Sequence, residues 1–70
     1  MKVSARNALP GTVSRIKTGA VNAEVTLEIA PGLHIVAIIT MNAIKTLRLR
    51  KGKIAYAVIK ASSVIVGVDD

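Results

Sequence analysis

Apolar and polar positions alternate along Ala20-Val21-Asn22-Ala23-Glu24-Val25-Thr26-Leu27-Glu28-Ile29-Ala30. A period of two puts Val21, Ala23, Val25, Leu27 and Ile29 on one side of an extended chain and Asn22, Glu24, Thr26 and Glu28 on the other, which predicts a strand with one buried face. The preceding stretch GTVSRIKTG lies between Gly11 and Gly19 and is rich in β-branched residues. It predicts a second strand, joined to the first as a hairpin near Thr18-Gly19-Ala20. Pro10-Gly11 and Pro31-Gly32 both read as turns.

The next run, LHIVAIIT, is apolar at both parities. A strand tolerates this only when both of its faces are covered, and in a thin domain the second cover would come from another subunit. In MNAIKTLRL, Ala43, Ile44 and Leu47 fall at helical spacing with Thr40 placed as an N-cap, so one or two helical turns are expected. RKG then turns the chain, KIAYAVIKA reads as a strand and SVIVGV as a last one. The expected fold is all-β: a small OB-like barrel of five to six strands with one short helix, a single domain over residues 1–70, and oligomeric.

Composition supports the oligomer. A chain of 70 residues buries only about 60% of its unfolded surface, yet 51% of these residues are hydrophobic and the mean hydropathy is +0.53. The excess apolar surface fits a subunit interface. With no cysteine present, disulfides and thiolate metal sites are excluded as supports for the core. The longest uncharged stretch, Ile29 to Ile44, is shorter than the ~20 residues of a membrane-spanning helix and contains Pro31, Gly32, His34 and Asn42. The N-terminus lacks the basic-then-apolar pattern of a secretion signal, so a cytoplasmic protein without a membrane partner is expected.

Ten Lys and Arg against four Asp and Glu leave a net charge of +6, which implies an anionic partner. Enzyme chemistry finds little support. Glu24 and Glu28 lie four residues apart on a strand, roughly 13 Å by strand rise, whereas a glycosidase pair wants about 5–9.5 Å. His34 is the only histidine, and neither a phosphate-binding loop nor metal-ligand spacing occurs. Not an enzyme is therefore the expectation. A nucleic-acid binder is the alternative, because TLRLRKGK gathers Arg48, Arg50, Lys51 and Lys53 on an OB-like fold. Single-strand binders of that fold stack bases on aromatic residues, however, and Tyr56 is the only aromatic here.

A small oxyanion would also fit the charge. Ser4-Ala5-Arg6-Asn7 brings a hydroxyl, an arginine fork and a carboxamide together within four residues. IKAS puts Lys60 and Ser62 at a strand end, and ITMN puts Thr40 and Asn42 where a strand enters the helix. Hydrogen-bond donors and positive charge are what a tetrahedral oxyanion needs, since its central atom already holds its oxygens and a buried dianion must be paired and hydrogen-bonded.

With SARN near the start, GAVNAEV in the middle, IT ahead of the helix and YAVIKASSVIVGV at the end, the chain resembles molbindin, the Mop domain of the transport-associated OB (TOBE) class, over nearly its whole length. The resemblance implies a cytoplasmic β-barrel that binds molybdate or tungstate, needs no organic cofactor, and assembles as a homohexamer, a trimer of dimers, with anion sites between subunits. In the dimer-interface site, Ser4, Ala5 and Arg6 would meet Lys60 and Ala61, and a partner subunit would supply Thr40 to Ala43. Ala43 stands where many relatives carry serine, so one donor is missing. Val21, Asn22 and His34 would contribute to a second class of site near the three-fold axes. A single copy beginning at Met1, with no helix-turn-helix segment or nucleotide-binding loop, implies molybdenum storage or homeostasis rather than gene regulation or transport.

Overall fold

The computed structural model describes residues 2–69; residues 1 and 70, the ends of the expected domain, lie outside them. Strand β1 (Asn7–Thr18) and strand β2 (Asn22–Ala30) form the expected hairpin, and strand β3 (Leu33–Thr40) follows after the Pro31-Gly32 turn, where Gly32 adopts a φ of 76°. Helix α1 (Met41–Leu47) and strand β4 (Ile54–Ile59) come next, and a single 3-10 turn covers Ala61–Ser63. All strand pairings are antiparallel, in the order β3-β2-β1-β4. The sheet curls into a half-barrel because both long strands carry a bulge, at Ser14 in β1 and at Ile29 in β2, and a bulge bends its strand and deepens its twist.

The alternation of β2 becomes the core. Ala23, Val25 and Leu27 turn into the hollow of the curl, with Val13 from β1 and Ala57 from β4. Ile16, Ile35, Ile39, Ile44 and Leu49 close around them. Helix α1 plugs one end. Thr40 caps it, its hydroxyl accepting from the Ala43 amide at 3.0 Å, and the chain leaves through Arg48 at a φ of 53°. The Lys53 ammonium donates to the carbonyls of Leu47 and Arg48 at 2.7 and 3.2 Å, which places a cation on the negative end of the helix.

Two expectations need correction. Pro10-Gly11 is not a turn; both residues lie inside β1, opposite Tyr56 and Ala55 of β4. The alternation of the ladder explains why proline is tolerated. Val13 donates to the Lys53 carbonyl and accepts from the Gly52 amide, so odd-numbered residues of β1 address the β4 side and even-numbered ones the opposite side. Pro10 therefore faces away from β4, in the stretch of β1 before β2 pairing begins at Thr12, where its missing N–H costs no ladder bond. Gly11 answers a different demand. It is buried, and a Cβ there would stand 2.8 Å from Ile29 Cδ1 and 2.9 Å from the Glu28 carbonyl oxygen. Gly11→Ala is expected to destabilise the fold by about 1–3 kcal/mol, read as a lower urea midpoint with an unchanged slope.

The second correction is the strand count: four strands form among the described residues, not five or six. The expected last strand, SVIVGV, runs on without a ladder partner, and Val64, Ile65, Val66 and Val68 are between 51% and 94% exposed. In β3, Ile35, Ala37 and Ile39 are half-buried, but Val36 and Ile38 point outward at 55% and 73% exposure, so the chain itself covers one face of this strand only. Between β3 and β4 the curl stays open, and an apolar groove of about 400 Å³ runs there, lined by Val25, Leu27, Ala37, Ile39, Leu47, Leu49, Ile54, Tyr56 and Val58 among others.

Candidate anion site

Asn7↔Ile59 is the last rung between β1 and β4, and the Asn7 carboxamide donates to the Ile59 carbonyl at 3.3 Å. The two chains thus leave the sheet side by side. Ser4, Ala5 and Arg6 precede that rung on one strand and Lys60, Ala61 and Ser62 follow it on the other. Together these six residues line a recess of about 270 Å³. On the Lys60 side the wall is set by the 3-10 turn, closed by Ser63 donating to the Lys60 carbonyl at 2.9 Å. Alanine at positions 5 and 61 keeps the wall low, so that an anion could approach the backbone between the charged side chains.

The electrostatics follow from what is missing. Among the described residues the single ion contact is His34 with Glu28, at 3.4 Å; Arg6 and Lys60 face the recess with no carboxylate as partner. Two cationic side chains and two hydroxyls around an unpaired hollow form a donor set for an oxyanion. Of the residues expected from sequence, the fold brings Ser4, Ala5, Arg6, Lys60 and Ala61 to one place. Ser62 joins them; the IKAS segment already marked it as a donor at the strand end, but it stands outside the expected ligand set.

Thr40 to Ala43 do not line this recess within one chain. Their donors are also partly committed. The Met41 amide donates to the Val21 carbonyl at 2.8 Å and the Ala43 amide to the Thr40 hydroxyl oxygen, which leaves the Thr40 hydroxyl hydrogen free to be donated. Val21 and Asn22 gather beside this helix start, with Asn22 opposite Thr40 across the hairpin. His34 does not join them: it pairs with Glu28 at the other end of the same hairpin, six residues and roughly 20 Å away by strand rise.

The basic segment behind the nucleic-acid alternative is divided in role. Lys53 is tied to the helix end, while Arg48, Arg50 and Lys51 lie exposed on the turn. Tyr56 lines the apolar groove, without a second aromatic residue to extend a stacking surface.

A curled antiparallel half-barrel with one short helix and a cationic recess at the β1–β4 exit defines a class of small OB-like domain. The chain belongs to the TOBE domain family, whose model matches residues 3–66, and within it to the molbindin type. It is 49% identical to a probable molybdenum-pterin-binding protein of Haemophilus influenzae, over 99% of this chain and all of that one. It is 44% identical to molybdenum-pterin-binding protein 3 of Clostridium pasteurianum, over 94% and 97% of the two chains. Among solved structures, MopII of Clostridium pasteurianum superposes with a TM-score of 0.89 at 40% identity, covering 96% of this chain and 100% of that one. The cytoplasmic molybdate-binding protein ModG, in a form with molybdate bound, gives 0.92 at 54% identity, covering 99% of this chain and 49% of that one.

Proposed function

We propose that this protein binds molybdate, and tungstate in the same way, in the recess lined by Ser4, Ala5, Arg6, Lys60, Ala61 and Ser62, and that it stores or buffers the anion in the cytoplasm without acting on it as an enzyme. The recess carries the reading: it converges two cations and two hydroxyls on one hollow, and it needs no organic cofactor to do so. The molybdate-bound ModG relative supports the choice of anion.

The open edge of the barrel and the unpaired apolar tail support an oligomer. A second copy's Val64–Val68 segment is a complement for the groove between β3 and β4, because it offers apolar side chains to an apolar lining and unpaired backbone to two open strand edges. Within such a dimer Thr40 to Ala43 of one copy would reach the recess of the other and complete the anion's shell, and a trimer of these dimers would leave Val21, Asn22 and His34 for contacts nearer the three-fold axes.

Calorimetry tests the reading. Molybdate and tungstate are expected to bind well and sulfate poorly, because the smaller sulfate makes longer contacts in a cavity fitted to the larger tetrahedron. No heat with molybdate, alongside tight binding of a single-stranded oligonucleotide, would overturn it in favour of a nucleic-acid binder.

A further inference from the structure

We propose that the turn between α1 and β4 is a docking surface for a carboxylate-rich segment of another protein, gripped by Lys45, Arg48, Arg50 and Lys51. All four residues are exposed, and none is ion-paired among the described residues, where the one ion contact joins His34 to Glu28. Arg48 carries the argument. It is the one non-glycine residue at positive φ among the described residues, at 53°, while Gly32 and Gly52 hold the other such positions at 76° and 93°. An L side chain is strained in that region and glycine is not. A cation kept only for solubility could stand at a neighbouring position without that strain, so the side chain at 48 points to a contact. The negative end of the helix does not account for it. What caps the helix there is the Arg48 backbone N–H, bonded to the Ile44 and Lys45 carbonyls, and the Lys53 ammonium already supplies a cation to that end.

The turn is also held in shape. The backbone N–H groups of Leu49, Lys53 and Gly52 donate to the carbonyls of Ile44, Arg50 and Val13, so the cations stand on a fixed frame that needs little ordering when a partner arrives. Arginine forks match carboxylates in a bidentate geometry. Two observations favour a protein segment over a nucleic acid. Base stacking needs aromatic rings, and Tyr56, the chain's only one, lines the apolar groove. A nucleic-acid strand is tracked by a groove or stripe of cations, whereas these four are gathered within seven residues at one corner of the fold. That corner lies at the Ile54 end of β4, and the recess begins beyond Ile59, roughly 17 Å away by strand rise. An acidic partner can therefore dock while the recess stays open.

Fluorescence anisotropy of a labelled octaglutamate peptide, titrated with the intact protein at low salt, tests the surface whether or not molybdate binds. The double variant Arg50→Gln with Lys51→Gln is expected to weaken peptide binding at least about fivefold. Arg48→Gly is expected to weaken it about twofold to fivefold while raising the thermal midpoint by about 2–8 °C. Arg15→Gln with Lys17→Gln, at exposed positions of β1, removes the same charge and should change peptide binding less than about twofold. No binding of the peptide, equal losses in the two double variants, or tighter binding of a single-stranded oligonucleotide of matching charge would overturn the proposal. So would a lower midpoint in Arg48→Gly, which would mean that the arginine is kept for the fold.

Discussion

Arg6→Ala and Lys60→Ala are each expected to weaken molybdate binding about tenfold to a hundredfold, on the scale of about 1.5–3 kcal/mol for a hydrogen bond to a charged group. The two side chains reach the same hollow from just before β1 and just after β4, so the effects should not add: each cation carries more of the load once the other is gone. Lys51→Ala is the control. It removes the same charge from the exposed turn before β4 and should change affinity little. Calorimetric titration of the three variants decides the matter. Equal losses in all three would mean that the anion responds to net charge alone, and the recess would no longer be its site.

A buried carboxylate should have the largest effect on the fold. Val13 is fully enclosed, at 0% exposure, and touches the centre of the curl. Val13→Asp places an unpaired charge there, at a cost of several kcal/mol against a total stability of about 5–15 kcal/mol, so circular dichroism should show loss of the β signal at ambient temperature. Ile38→Asp tests the opposite case. From sequence, its two-sided apolar strand implied that the change would both break the oligomer and unfold the chain. The outward direction of Ile38 separates those outcomes: the variant should keep its β signal and lose only association, read by sedimentation. An unfolded Ile38→Asp would show that the fold cannot stand without its partners.

The elements that sequence made legible are those whose partners lie inside the chain. The period of β2 from Ala23 to Leu27, the Gly19 hairpin and the Thr40 cap appear where the pattern put them, because each is decided by neighbours a few residues away, whereas Val21, expected on the buried face, precedes the strand and is 72% exposed. Pro10-Gly11 misled for the same local reason. A proline-glycine pair reads as a turn, and only the ladder parity, set by bonds to Gly52 and Lys53, shows why a strand can hold it. SVIVGV failed in the other direction: its composition is that of a strand, but no edge within the chain pairs with it. At the recess, SARN and the Lys60 segment were legible as donors, and the fold brings them together through the Asn7↔Ile59 rung. The commitment of the Ala43 amide to Thr40 was legible only as a cap, although it also withdraws that donor from an anion.

The placement of Pro10 has a further consequence, for aggregation. The first half of β1 has β4 on one side and no strand of its own chain on the other, which would ordinarily offer a template to any unfolded chain nearby. On that side the even-numbered residues present their backbone, and Pro10 has no hydrogen to give. An incoming strand could bond at Ala8 but could not carry the ladder through to Thr12, so the edge ends its own growth. A single imide nitrogen thereby limits pairing on this side of β1 to the few residues that precede it.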